Sequence, residues 1–248
     1  MILLGDVGNT ETKIFLLNSN NRVIKRLTFE TKIINLLFLK KLFNKNKLKN
    51  LNIKKCLFCS VVPKSFKLIK NFISHNYKIK CYELKDLPLK NLIKIKVNSR
   101  QVGSDRIANA IGAINNKDNF IVLDFGTATT FDVLIKNFYN GGIIAPGLKI
   151  SLMNLIDKAT LIPKLNLKKM KKVIGLNTIS AVRSGFFWGY IGLINNILKL
   201  IKKETKKPFK IIITGGFSNL FNNSFNTNVT INKDITMKGL IKASKLIN

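Results

Sequence analysis

One short phrase occurs twice in the chain, about half its length apart. The first copy is Asp6-Val7-Gly8-Asn9-Thr10-Glu11-Thr12 and the second is Asp124-Phe125-Gly126-Thr127-Ala128-Thr129-Thr130. Each follows a short apolar run, Ile2-Leu3-Leu4 or Phe120-Ile121-Val122-Leu123, and precedes another, so each reads as strand, tight turn, strand. Turns of small residues between strands present N–H groups and hydroxyls in a concave cup that holds anionic oxygen. A carboxylate at the mouth of such a cup fits a phosphate only if a divalent cation lies between them, because hard cations take one or two carboxylates together with phosphate oxygens. One copy is an ordinary hairpin turn. Two copies at this spacing predict an internally duplicated chain with a nucleotide triphosphate between two cups that face each other across a cleft.

At 248 residues, 46% of them hydrophobic, the chain can fill two cores. No secretory signal precedes the first turn, and the most apolar window, Gly185 to Ile201, is broken by Asn195-Asn196 and falls short of the roughly 20 residues of a spanning helix. A cytoplasmic protein without a membrane span is the expectation. The formal charge of +31 points toward nucleic acid. Only Arg22, Arg26, Arg100, Arg106 and Arg183 are arginines, however, and the lysines are spread along the chain, so compositional bias is favoured over nucleic-acid binding. Cys56 and Cys59 lie three apart in a strand-like run and point to opposite faces, which makes them packing thiols and not a zinc pair. The single histidine, His75, sits in a polar stretch, so any proton acceptor is expected to be a carboxylate.

The first half reads as a meander of three strands (Ile2 to Gly5, Lys13 to Leu17, Arg22 to Phe29) followed by alternating helix and strand. Helices are expected over Ile34 to Phe43 and Pro63 to Tyr77, with strands over Ile53 to Val62 and Lys78 to Tyr82. Gly103-Ser104-Asp105-Arg106 opens a further helix, with Ser104 as N-cap and Asp105 in the first turn, where the helix dipole favours an ionised carboxylate. Asp105 is then either a cap or a proton acceptor, and Arg106 beside it is suited to a carboxylate or phosphate. The polar stretch Asn115 to Asn119 marks the boundary, giving domains 1–116 and 117–248. The second half repeats the plan: Phe120 to Leu123, Thr130 to Ile135, a third strand ending at Pro146-Gly147, a helix over Leu148 to Lys158, and a long aromatic-rich helix over Thr178 to Lys202 whose surplus apolar face suggests a subunit interface. A buried strand, Lys210 to Ile213, runs into Thr214-Gly215-Gly216, an adenine-side loop or a plain turn, and Leu240 to Ile247 closes as a helix.

In this order the motifs resemble those of the type III pantothenate kinases, of the acetate kinase, sugar kinase, Hsp70 and actin superfamily. The pieces are Asp6 to Thr10, Ser60-Val61-Val62-Pro63, Gly103 to Arg106, Asp124 to Thr130, Gly141-Gly142 with Pro146-Gly147, Asn177-Thr178 with Ser184-Gly185, and Thr214-Gly215-Gly216. The resemblance implies an α/β protein of two tandem ribonuclease-H-like domains, the actin-like ATPase fold. It implies phosphorylation of pantothenate by ATP, the first step of coenzyme A biosynthesis, in a homodimer whose active site lies near the interface. By matching motifs, Asp6, Val7, Gly8, Asn9, Thr10, Glu11, Thr12, Lys13 and Thr127 are the expected ATP contacts, with Asp6 near Mg²⁺. Asp105 is the implied proton acceptor, Gly103, Ser104, Asp105, Arg106 and Thr178 the implied pantothenate contacts, and Asp124 the implied ligand of K⁺ or NH₄⁺. Lys96 stands where the family usually has a tyrosine, Ser99 where it has a proline, and Cys59 where it has a serine. Two other readings of the same fold stay open: a regulatory protein that binds nucleic acid, and a kinase of another small hydroxy compound.

Overall fold

The computed structural model describes residues 1–48 and 51–247. Its strands are β1 (Ile2–Val7), β2 (Glu11–Leu17), β3 (Val23–Glu30), β4 (Lys55–Ser60), β5 (Cys81–Glu83), β6 (Lys94–Ile95), β7 (Asn119–Phe125), β8 (Ala128–Ile135), β9 (Phe138–Pro146), β10 (Lys210–Gly215) and β11 (Val229–Ile231). The helices are α1 (Leu36–Lys45), α2 (Pro63–Tyr77), α3 (Ser104–Ala113), α4 (Leu148–Lys158), α5 (Thr178–Thr205) and α6 (Ile235–Ser244). Contacts divide them into two compact units, one built from Met1–Ala113, Asn137–Tyr139 and the chain from Asp234 on, the other from Ile114–Lys136 and Asn140–Lys233.

The two sheets share one plan. The five-stranded sheet has the order β3-β2-β1-β4-β5, and the six-stranded sheet has the order β6-β9-β8-β7-β10-β11, with the two-residue β6 added in parallel beyond β9. Antiparallel pairing of β1 with β2 and β2 with β3 is followed by parallel addition of β4 and β5. The second unit likewise pairs β7 with β8 antiparallel and adds β10 and β11 in parallel. The meander arises because its links are short turns, whereas the parallel strands are reached through helical crossovers. The duplicated phrase thus reflects a duplicated ribonuclease-H-like plan, and the mixed α/β fold is the one expected.

Each sheet is covered by helices. In the first unit Leu3, Val7, Ile14 and Phe58 pack with Leu39, Phe43, Ile69 and Phe72 of α1 and α2. Helix α1 starts where the Asn35 side chain accepts from Phe38 N at 2.8 Å, and α2 starts on Pro63, whose fixed φ and missing N–H suit the first helical position. In the second unit Phe221 is sealed among Phe125, Phe187 and Phe225, with ring centroids 5.0, 5.7 and 5.9 Å away. Such pairs add roughly 0.5–1.5 kcal/mol each beyond the area they bury. Helix α5 opens with a capping box between Asn177 and Ser180.

The closing helix departs from the expected division at 116/117. Helix α6 begins at Ile235, five positions before the expected start, and packs on α3, β1 and β4 of the first unit. Gly239 lets it approach so closely that a Cβ there would lie 1.8 Å from the Ala108 carbonyl oxygen. Arg26 of β3 holds Asp234, at the head of α6, in a two-pronged ion pair. Periodicity identifies a helix but not the sheet to which it returns.

Candidate active site

In the first unit, three parallel strands end side by side, and each ends in an acid or its neighbour. Asp6 of β1 pairs in register with Cys59 of β4, and Phe58 pairs with Glu83 of β5. Carboxyl ends of parallel strands are where open α/β sheets place their ligand sites. Asp6 Oδ1 accepts from the Cys59 thiol at 3.5 Å. Burial first, and then the charges of Asp6, Asp105 and Glu83, push the Cys59 thiol well above its ordinary pKa, so it stays protonated and donates. Cys56, on the other face, meets Cys81 at 3.2 Å; all three cysteines are free and buried.

The first turn of α3 carries Asp105 to the same end of the sheet. Its Oδ1 accepts from Arg106 N at 2.8 Å. Gly103 precedes the helix because the carboxylate folds back over it: a Cβ at Gly103 would lie 2.5 Å from Asp105 Oδ1. The helix dipole was expected to favour ionisation, yet burial dominates and raises the Asp105 pKa, against the opposing pull of the backbone N–H of Arg106 and the charges of Arg106 and Lys85. A carboxylate made more basic in this way is better matched to accepting a proton near neutral pH. Ser104 is not the N-cap that its position suggests. It is the first helical residue, only 2% exposed, and its hydroxyl donates to Glu83 Oε1.

The turn after β1 has two kinds of residue. Asn9, Thr10 and Glu11 are exposed, and Gly8 and Lys13 are partly so. Val7 and Thr12 are fully buried. Thr12 Oγ1 meets Thr31 Oγ1 at 2.9 Å, and Thr31 donates to the Gly8 carbonyl at 2.6 Å. Val7 and Thr12, two of the expected ATP contacts, therefore lie beneath the turn, and Asn9, Thr10 and Glu11 form its exposed rim. Lys96, where a family tyrosine is usual, lies over the Phe138 ring at 4.6 Å. His75 is exposed at the end of α2.

In the second unit the corresponding turn leaves Gly126 and Thr127 exposed and buries Thr129. Asp124 pairs with Thr214 and Phe125 with Gly215 on the parallel strand β10. Gly215 has φ +86°, and a Cβ there would stand 2.5 Å from Asp124 Oδ1 and 2.6 Å from the Phe125 backbone. Gly216 beside it is open, with nothing within 4 Å of an added Cβ. Thr178 is exposed at the first position of α5.

Asp6, a partly exposed carboxylate at the carboxyl end of β1 beside the exposed turn, suits a Mg²⁺ that arrives with nucleotide, since Mg²⁺ commonly takes one or two carboxylates, substrate phosphates and water. Asp124 presents its carboxylate against the bare Gly215 backbone, packed so closely that a side chain there would displace it. Sequence reasoning missed Glu83 and the donor role of Cys59. A carboxylate just beyond a parallel strand was the available signal for the first.

A sequence profile of the type III pantothenate kinase family matches residues 2–200. The type III pantothenate kinase of Pelagibacter ubique (strain HTCC1062) is 68% identical over 247 residues, covering 100% of both chains. Among solved structures, a Sinorhizobium meliloti protein provisionally described as a 2-dehydro-3-deoxygalactonokinase superposes with a TM-score of 0.62 at 10% identity, covering 100% of this chain and 99% of that one. A Campylobacter jejuni protein provisionally described as a Baf family transcriptional activator superposes with a TM-score of 0.59 at 21% identity, covering 98% of each chain; at such identities the likeness is one of fold. With a family profile over residues 2–200 and a full-length relative at this identity, beside the duplicated turns and the partly buried Asp105, the chain belongs to the type III pantothenate kinase family.

Proposed function

We infer that this chain transfers the γ-phosphoryl group of ATP to the primary hydroxyl of pantothenate, the first step of coenzyme A biosynthesis, with Asp105 as proton acceptor. The observation that carries the assignment of Asp105 is its partly buried place at the strand ends, where it acts with Asp6 on the Cys59 thiol and desolvation raises its pKa. As the pantothenate oxygen bonds to the γ-phosphorus, its proton passes to the Asp105 carboxylate and the bond between that phosphorus and the ADP oxygen breaks. Arg106 holds the substrate carboxylate, with Gly103 and Ser104 lining the same turn. The turn from Asp6 to Lys13, through its exposed residues Asn9, Thr10 and Glu11, receives the nucleotide, as does Thr127, and Asp6 would hold Mg²⁺, which neutralises charge on the phosphates. Asp124 would hold K⁺ or NH₄⁺. Phosphoryl transfer asks mainly for positioning and charge neutralisation, so a carboxylate suffices as base and no histidine is needed.

The active form is a homodimer in which Thr178 reaches the pantothenate of the partner subunit. Support comes from the second unit, where Pro146, Ser151, Leu155, Phe186 and Tyr190 line an apolar groove of about 400 Å³ between α4 and α5. Nearby Ile150 and Met153 are half exposed, and Leu161 and Leu176 are 91% and 90% exposed. An apolar groove of this kind, with exposed apolar side chains on the same unit, suits a subunit interface. No helix among the described residues is long and apolar enough to cross a membrane, and three unpaired cysteines suit the reducing cytoplasm.

The test is ADP release with and without pantothenate, repeated with K⁺ replaced by Na⁺. Pantothenate-dependent release that falls in Na⁺ is expected. Release that follows another hydroxy acid or sugar, or salt-sensitive DNA binding without any turnover, would refute the assignment.

A further inference from the structure

We propose that Glu83 is a positioning residue for this reaction, one that fixes the first turn of α3 and thereby the place of the Asp105 carboxylate. This rests on the reading of Asp105 as the proton acceptor. Glu83 ends β5 and ties three elements together. Its Oε1 accepts from the Ser104 hydroxyl on α3 and from Ser60 N at the end of β4, the latter at 3.4 Å. Its Oε2 accepts from Lys85 N at 2.6 Å, so the side chain is held from both oxygens.

Ser104 is the residue immediately before Asp105, and its burial means that no water stands in for Glu83. A buried hydroxyl that loses its acceptor costs roughly 1–3 kcal/mol, which a shift of the helix start toward other partners would relieve. Such a shift moves Asp105 with it, because the two residues share one turn of backbone. Asp105 Oδ1 is already confined by the Gly103 backbone and Arg106 N, leaving little rotameric freedom to compensate. An acid at the head of α3 is also favourably placed toward the helix dipole. Reaction rates respond steeply to such displacement: a misplacement of about 1 Å in a positioning group can cost about 10²-fold.

The experiment measures kcat, KM for ATP and for pantothenate, and melting temperature for Glu83→Ala, Ser104→Ala, their double variant and Glu83→Gln, with Asp105→Asn as reference. Glu83→Ala and Ser104→Ala should each lower kcat by roughly 10- to 100-fold while KM for ATP stays within about twofold, the pattern of a lost transition-state interaction. The double variant should be no worse than the more impaired single, because both remove one bond. Glu83→Gln keeps an acceptor for Ser104 and should recover most of kcat. Near-normal kcat in Ser104→Ala, multiplying effects in the double variant, or equal impairment by Gln and Ala would each overturn the proposal. Should Glu83→Ala fail to fold, Ser104→Ala and Glu83→Gln decide it. If Asp105→Asn itself turns over normally, the reading of Asp105 fails; if Asp105→Asn is inactive while the Glu83 and Ser104 variants are normal, only the positioning role fails.

Discussion

Gly215 offers the sharpest test of the second turn, because its neighbour Gly216 supplies the control. In Gly215→Ala the new methyl would lie 2.5 Å from Asp124 Oδ1, where 3.4 Å is the lower edge of ordinary contact, so the carboxylate must retreat by 3.4 − 2.5 = 0.9 Å. It also meets the Phe125 N and C atoms at 2.6 Å, which no rotamer change relieves, and the backbone sits at φ +86°. The left-handed region alone costs an L-residue roughly 1–2 kcal/mol. With the backbone clash, a total of about 3 kcal/mol is expected, which for a chain of this size lowers the melting temperature by roughly 6–12 °C. If Asp124 holds the monovalent ion, a displacement near 1 Å should raise the K⁺ concentration for half-maximal rate and lower kcat by about 10²-fold. Gly216→Ala adds a methyl to open space and should match the parent in both measurements. The assay is a K⁺ titration of ADP release alongside thermal melts for the two variants. If Gly215→Ala keeps the parent K⁺ response and melting temperature, or if Gly216→Ala behaves the same way as Gly215→Ala, the cradle argument is wrong.

Further expectations concern the base, the packing of α6 and the subunit interface. Asp105→Asn should lower kcat by about 10²-fold or more, with nucleotide-analogue binding retained. Because burial raises the folded-state pKa of Asp105, its ionisation is a cost of folding that is absent below the unfolded pKa, grows as pH rises from there to the folded pKa, and is fully present above it; at neutral pH the Asn variant should therefore melt higher, as calorimetry would show. For the same reason the acid limb of kcat/KM should lie above the ordinary carboxylate range, and a profile that breaks near or below pH 4 would contradict it. Gly239→Ala should destabilise by roughly 2–4 kcal/mol, since its methyl would stand 1.8 Å from the Ala108 carbonyl oxygen; denaturant melts with no change in midpoint would show that α3 and α6 are less tightly joined. Phe186→Asp places a charge in the apolar groove and should shift the chain from dimer to monomer in sedimentation, at concentrations where the parent stays paired.

Much of this was legible from local chemistry. Helices α2 and α4 run over the residues expected, because Pro63 and Pro146-Gly147 set their starts. The duplicated Asp-x-Gly phrase led to the two like sheets, since a turn between strands is written in a few adjacent residues. What escaped was decided by partners distant in sequence. β11 is three residues long in a polar stretch, and it forms only because β10 supplies its hydrogen bonds. Helix α6 carries a glycine at its middle for close approach, which hid its first turn. Ser104 was read as a cap because caps are local; its actual acceptor, Glu83, is 21 residues earlier. Thr12 belongs to a repeated motif that suggested ligand contact, yet Thr31 takes its hydroxyl.

The return of α6 makes the second unit an insertion within the first, for the compact body that begins at Met1 regains its last helix only after Asp234. A ribosome therefore releases the whole second unit before the first has all of its parts, the reverse of the usual order in which an amino-terminal domain is finished early. Until residues 235–244 emerge, the surface of α3 that receives them, Ala108 and Gly112 among it, is bare to solvent and open to other hydrophobic chains. A stop codon shortly before residue 235 would accordingly damage the unit that begins at Met1.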